Sequence, residues 1–192
     1  RADALKNLTC LTGVIATSEL IRAFKPDLVV WSIGSEPFHP AIPGLQERLN
    51  APNGRVTDVN GFLKNLDKEA DITGKQILLA GGGPVALDIA EFFAENGNQV
   101  TIVEMLPEIG RGQDTFSKQY TLEVFAKHKV VTLLSHRVKE VRDDSVLVFC
   151  GGEQKEIPYD YAFCALGLRS KPVETDIWRV LETSGIPCVS IG

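Results

Sequence analysis

The sequence predicts an α/β protein: a parallel sheet flanked by helices, with an antiparallel β-meander inserted before its last strand. Three observations carry this expectation. Apolar segments of strand length alternate with helical segments between Lys75 and Leu134. A glycine-rich turn, Gly81-Gly82-Gly83, joins the first of those strands to the first of those helices. Beyond Val138 the apolar spacing shortens to two, the period of a strand with one buried face.

Taken in order, residues 8–11 read as a short strand. Thr17 or Ser18 caps a helix through Glu19, Leu20, Ile21 and Phe24, with Glu19 well placed in its first turn. Pro26 ends that helix, because proline disfavours the helical conformation at Lys25. Residues 28–33 follow as a buried strand closed by Gly34. Pro37, Pro40, Pro43 and Gly44 mark an irregular, extended crossing. Residues 45–73 read as a polar connection with one short helix near 58–66.

From Lys75 the pattern sharpens. Residues 76–80 form a continuous apolar strand of the kind buried on both faces of a parallel sheet. Residues 84–96 form a helix, since Val85, Ile89, Phe92 and Phe93 share one face. Pro84 suits its first position, where no N–H is needed, and Gly97 suits a left-handed C-terminal cap. Residues 99–103 are the next strand, 115–127 a second helix and 130–134 a further strand. Residues 138–141, 146–149 and 155–157 form the meander, turning at Asp143-Asp144 and Gly151-Gly152. Residues 161–166 close the unit as a buried strand.

Composition bounds the function. The 192 residues are 44% hydrophobic and 23% charged, as in ordinary globular domains, and carry a net charge of −5 with no face-sized run of Lys or Arg. Nucleic acid and anionic membranes are therefore not expected partners. The apolar runs are strand-sized, and no signal or transit peptide is visible, so a cytoplasmic location is expected. Cys10, Cys150, Cys164 and Cys188 lie far apart without a C-x-x-C pair, which supports neither a metal site nor a redox dithiol. The chain opens on Arg1 and stops at Ile191-Gly192 after a strand-like run, and so reads as a piece of a longer protein.

The chemistry resides in Gly81-Gly82-Gly83-Pro84-Val85-Ala86, which matches G-x-G-x-x-G/A. Gly81 permits a tight turn out of the strand, Gly83 lets backbone approach a pyrophosphate, and Ala86 lets the helix sit close on the strand. The helix start offers free N–H groups and partial positive charge to phosphates. Glu104 lies about twenty residues on, at the end of the second strand, where a carboxylate accepts hydrogen bonds from ribose hydroxyls. It would repel a 2′-phosphate, so NAD(H) is expected over NADP, with Arg111 as a downstream counter-charge. Residues 74–167 thus read as a Rossmann-like dinucleotide-binding unit. The alternatives are a glycine-rich turn without a ligand, and a methyltransferase-type site, against which the meander argues. A short-chain reductase would need Tyr-x-x-x-Lys, which Tyr120, Tyr159 and Tyr161 all lack.

The run Gly81–Ala90, followed by Val103-Glu104-Met105-Leu106-Pro107-Glu108-Ile109-Gly110, resembles the pyridine-nucleotide domain of the NADH:flavin oxidoreductases. This is the 2,4-dienoyl-CoA reductase and 2-enoate reductase family, related to old yellow enzyme. The likeness extends to Lys25-Pro26-Asp27, to Gly34-Ser35-Glu36-Pro37 and to Ala165-Leu166-Gly167-Leu168-Arg169. It implies a two-dinucleotide-binding flavoprotein fold, with residues 1–70 and 168–192 as remnants of an FAD-side domain around an NAD(H)-binding domain at 71–167. It also implies FAD in the complete protein, and upstream a barrel with FMN and an iron–sulfur cluster that reduces an enoyl-type substrate. The partners implied are the dinucleotide and the flavin domain of the same chain, with a homo-oligomer left open. The family's first FAD fingerprint would precede Arg1 and its Gly-Asp motif would begin at Gly192, so this piece is expected to bind FAD poorly. Asp88 stands where relatives commonly carry Glu near the nicotinamide; a solvated or capping carboxylate is the other reading.

The candidate cofactor-binding residues are therefore Gly81, Gly82, Gly83, Pro84, Val85, Ala86, Asp88, Glu104, Met105 and Gly167. Hydride transfer between cofactors needs no acid or base here, so no catalytic or metal-ligating side chain is expected. His39, His128 and His136 have no evident partners and read as surface or loop residues. A nucleotide-binding structural domain without hydride transfer is the main alternative function.

Overall fold

A computed structural model of the chain describes residues 6–191. The chain divides into two compact units, one of residues up to Ser35 together with those from Ser170, the other Glu36–Arg169. It runs through α1 (Ser18–Phe24), β1 (Val29–Trp31), β2 (Ser35–Pro37), α2 (Leu45–Leu49), β3 (Val56–Asp58), α3 (Val59–Lys64) and α4 (Leu66–Glu69). It continues through β4 (Gln76–Ala80), α5 (Pro84–Glu95), β5 (Gln99–Val103), α6 (Thr115–His128) and β6 (Val131–Leu133). After β7 (Arg137–Val141), β8 (Ser145–Cys150) and β9 (Glu153–Pro158) come β10 (Tyr161–Cys164), β11 (Leu168–Ser170), α7 (Thr175–Ser184) and β12 (Cys188–Ser190).

The Glu36–Arg169 unit rests on a wholly parallel sheet of order β3-β10-β4-β5-β6. Successive side chains of a strand point to opposite faces, so a strand covered on both sides must be apolar throughout. Ile77 and Leu79 of β4, with Val100 and Ile102 of β5, join a core that includes Ile89, Ala90 and Phe93 of α5 and Phe125 of α6. Leu78, Ala80 and Val103 enter a second core with Val138, Val146, Val148 and Ile157 of the antiparallel sheet β7-β8-β9. The helical core is aromatic at its centre. Phe62 of α3 meets Phe92, Phe93 and Phe163 edge-on, with ring centroids 5.4–5.8 Å apart, a geometry that adds to simple burial.

Residues 45–73 are more ordered than a connection. They hold α2, α3, α4 and the edge strand β3, which pairs in parallel with β10. Three strand residues give too short a pattern to read locally. Their place is set from across the sheet, where Arg55 donates from Nε to the Asp160 carbonyl (2.8 Å) and from Nη2 to that of Tyr159 (2.9 Å). The compact unit that holds them runs from Glu36 to Arg169.

In the other unit, Thr17 Oγ1 accepts from the Leu20 amide to cap α1, and Lys25 ends the helix in the left-handed conformation at φ 47°. Ile21 and Trp31 pack with Ile177, Val180 and Leu181 of α7, an element additional to those expected above. β1 pairs in parallel with β12 and is shorter than the expected 28–33 strand. Residues 8–11 form no strand: Leu8 and Leu11 are about half exposed and pair with nothing among the described residues. Expectations attached to Arg1 and Gly192 lie outside the described residues. No helix among the described residues is long and apolar enough to cross a membrane.

Phe93 is fully buried at the aromatic centre, so Phe93→Ala is expected to cost about 3–5 kcal/mol. Phe92→Ala, at a partly buried position, is expected to cost less. Urea denaturation of the two variants checks the order; equal costs would contradict the packing described.

Candidate functional site

The site grows from the corner between β4 and α5. β4 lies between β5 and β10, so the chain leaves it toward one neighbour and returns on the other, the switch point where open α/β sheets bind ligands beyond their strand ends. Gly81 turns the chain with φ 107°. A Cβ there would collide with the Ala165 carbonyl at the end of β10. Its amide donates to the Val103 carbonyl at 2.9 Å, so three adjacent strands are drawn together at the corner.

Gly82 is held on two sides. Its N–H donates to Glu104 Oε2 at 2.6 Å, and its carbonyl accepts from the Gly110 amide at 2.7 Å. Gly83 is the N-cap of α5, and the space where its Cβ would stand is open. No side chain caps the helix. Pro84 has no N–H, and among the described residues the amides of Gly83, Val85 and Ala86 donate to no protein acceptor. Unpaired amides at the start of a twelve-residue helix can attract an anion by dipole and hydrogen bond together.

Glu104 is 8% exposed, and both its oxygens are engaged. Oε2 takes the Gly82 amide and Oε1 takes the Leu106 amide at 2.7 Å. A carboxylate oxygen has lone pairs for a second donor, so the side chain can hold the turn and still accept from a hydroxyl in front of it. The Gly82 amide, by contrast, is not free for phosphate.

These groups border a cleft of about 490 Å³. Of the expected residues, Gly81, Gly83, Glu104, Met105 and Gly167 line it. Gly82 lies buried behind the turn, Ala86 is buried on the sheet side, and Pro84 and Val85 are exposed at the helix start. Asp88 is not brought to the cleft. It is exposed on α5, beside Glu91 and Tyr120, over a separate depression against α6. Burial and the negative charges of Glu95 and Asp88 push the Glu91 carboxyl above its ordinary range. Arg111 likewise borders a different depression, with Glu108 and Lys118.

His136, Arg137, Phe38 and Leu166 line the cleft as well. No local motif marks His136, Arg137 or Phe38. The first two arrive because β5 and β6 pair in parallel and the chain then runs into β7, so that the His136 amide donates to the Glu104 carbonyl at 2.9 Å. His136 is thus more than a loop residue, and its Nδ1 lies 2.6 Å from the Leu134 carbonyl. His39 has a partner too, with Nε2 3.1 Å from Asp58 Oδ2. His128 Nε2 is buried without a hydrogen bond among the described residues.

All four cysteines are free. Burial, with Asp58 nearby, pushes the Cys164 thiol up to about 12, so it remains protonated and unreactive. No cluster of metal-ligating side chains occurs among the described residues.

Residues 13–191 match the family model of the pyridine nucleotide-disulphide oxidoreductases. The chain is 31% identical over 181 residues to an NADH oxidase of Thermoanaerobacter brockii, covering 94% of this chain and 27% of that protein. It is 29% identical to a bilirubin reductase of Mediterraneibacter gnavus, covering 94% and 26%. A solved complex of 2-naphthoyl-CoA reductase superposes on 92% of this chain and 25% of its own with a TM-score of 0.68 and 25% identity. The chain therefore spans about a quarter of the length of these relatives. Its α/β fold, with parallel sheet and antiparallel strands, matches Rossmann-like FAD/NAD(P)-binding flavoproteins.

Because Glu104 satisfies two backbone amides at once, Glu104→Gln is expected to set an amide NH₂ against one of those donors. The expected loss is about 1–3 kcal/mol of stability, read from denaturation midpoints without any ligand. An unchanged midpoint would show that the carboxylate does not hold the turn.

Proposed function

This chain belongs to the pyridine nucleotide-disulphide oxidoreductase family, and on that premise we propose that its Glu36–Arg169 unit binds NADH and presents it to a flavin in the complete protein. One observation carries the reading: α5 starts with unpaired amides at Gly83, Val85 and Ala86, and its N-cap Gly83 lines a cleft that also contains Glu104. The amides supply donors for a pyrophosphate, and the vacant Cβ side of Gly83 leaves room for it to approach. Glu104 accepts from the adenosine ribose, and its charge disfavours a 2′-phosphate, so NADH is preferred over NADPH. Gly167, Leu166 and Phe38 offer an apolar wall at another part of the cleft.

When bound, the nicotinamide supplies a hydride equivalent. The chain's own part is to bind, orient and exclude water, and no side chain is assigned as acid or base. Cys164 is buried as a thiol, so the reading uses no dithiol. We assign no contact to FAD, because the described residues outside 36–169 contain no glycine-rich strand-to-helix turn. The complete protein is proposed to be an NADH:flavin oxidoreductase of the dienoyl-CoA and enoate reductase kind, with FAD, FMN and an iron–sulfur cluster. The bilirubin and naphthoyl-CoA reductases among its relatives, named for conjugated organic molecules, support that class. The isolated chain is proposed to bind nucleotide without turnover.

Gly83 offers a clean test, because its φ of −74° and open Cβ space let alanine fit without strain. Calorimetric titration should show saturable NADH binding below millimolar concentration, weaker NADPH, and at least about tenfold weaker NADH for Gly83→Ala at unchanged thermal stability. Absence of saturable binding by NADH, NADPH and ADP would overturn the reading.

A further inference from the structure

The segments 104–106 and 135–137 run side by side. The His136 amide donates to the Glu104 carbonyl and the Ser135 amide to the Leu106 carbonyl, each at 2.9 Å. Two side chains rise beside this pairing, Met105 and Arg137. Both border the main cleft and also the neighbouring depression that contains Lys139 and Phe149, so they form the ridge between the two. Met105 is 63% exposed, so its thioether is accessible to a ligand on the ridge.

Arg137 is unengaged. Among the described residues its guanidinium makes no ion pair or side-chain hydrogen bond, whereas Arg142 at the other end of β7 is held by Glu140 and Glu156. Its cross-strand neighbour Phe149 is already covered by Lys139, with Nζ 5.4 Å from the ring centroid. The planar face of Arg137 is therefore left for something else. A guanidinium stacks on aromatic rings through charge and plane together, and a thioether makes favourable contacts with the same kind of ring.

We propose that Arg137, with Met105 beside it, holds the adenine ring of the dinucleotide; this rests on the nucleotide reading above. The order along the backbone supports it. Glu104 would take the ribose, adenine is bonded directly to that ribose, and the ridge begins at the next residue. The rival role for an unpaired cation here is to hold a 2′-phosphate, and the two roles separate by ligand. A residue that stacks on adenine serves ADP, NADH and NADPH alike, while a phosphate reader serves NADPH alone.

The test is calorimetric titration of the chain and of Arg137→Gln and Arg137→Lys with ADP, NADH and NADPH. Stacking predicts that Arg137→Gln weakens all three by a similar factor, roughly 3- to 10-fold. Arg137→Lys, which retains charge without the plane, is expected to restore little. A loss confined to NADPH and restored by lysine would overturn the proposal in favour of phosphate recognition. Unchanged affinities for all three would overturn it outright. If the unaltered chain binds none of them, the nucleotide reading itself fails, an outcome distinct from either.

Discussion

The Glu104 carboxylate, gripping the Gly82 and Leu106 amides across a buried corner, is the interaction on which the rest of the site depends. It fixes the path of the glycine turn as the chain leaves β4, and so sets where α5 starts. The same bonds hold the end of β5 against the turn, which places Met105 and, through the His136 amide, the start of β7. A buried charge is costly unless its hydrogen bonds are made, and here the backbone makes them. The carboxylate that suggests a ribose ligand is thus also a structural member of the turn.

That corner has its position because the sheet is buried on both faces. Leu78 and Leu79 are adjacent in β4 and both fully enclosed, one in each core. Helices on one side and the meander on the other leave the carboxyl ends of the strands as the open edge. β4, β5 and β10 all end there, and Gly81 can turn only because no side chain stands between it and Ala165. The unpaired amides are a consequence of this layering: α5 begins where Gly83 and Pro84 put it, with no side chain to satisfy its first turn.

Much of this was legible in the sequence because it is encoded locally. The apolar run of β4, the glycine turn, Pro84 at the helix start and the period-two meander each signal their own structure over a few neighbours. β3 was not legible, since its three residues acquire strand character from β10 and from Arg55 reaching the Tyr159 and Asp160 carbonyls. Arg137 and His136 were missed for the same reason: they reach the cleft through β5–β6 pairing, about thirty residues from the nearest motif. Asp88 and Arg111 show the reverse case. Both lie near the motif in sequence, yet helix direction and loop path turn them to other surfaces. The short strand expected at residues 8–11 lacked a partner among the described residues to pair its backbone.

The central claim is that three specific amides receive the phosphates, and it can be read one residue at a time. In a ¹H–¹⁵N correlation experiment with ADP-ribose added to saturation, the resonances of Gly83, Val85 and Ala86 should shift together along one binding isotherm. Saturable binding with those three resonances unmoved would place the nucleotide elsewhere and contradict the account.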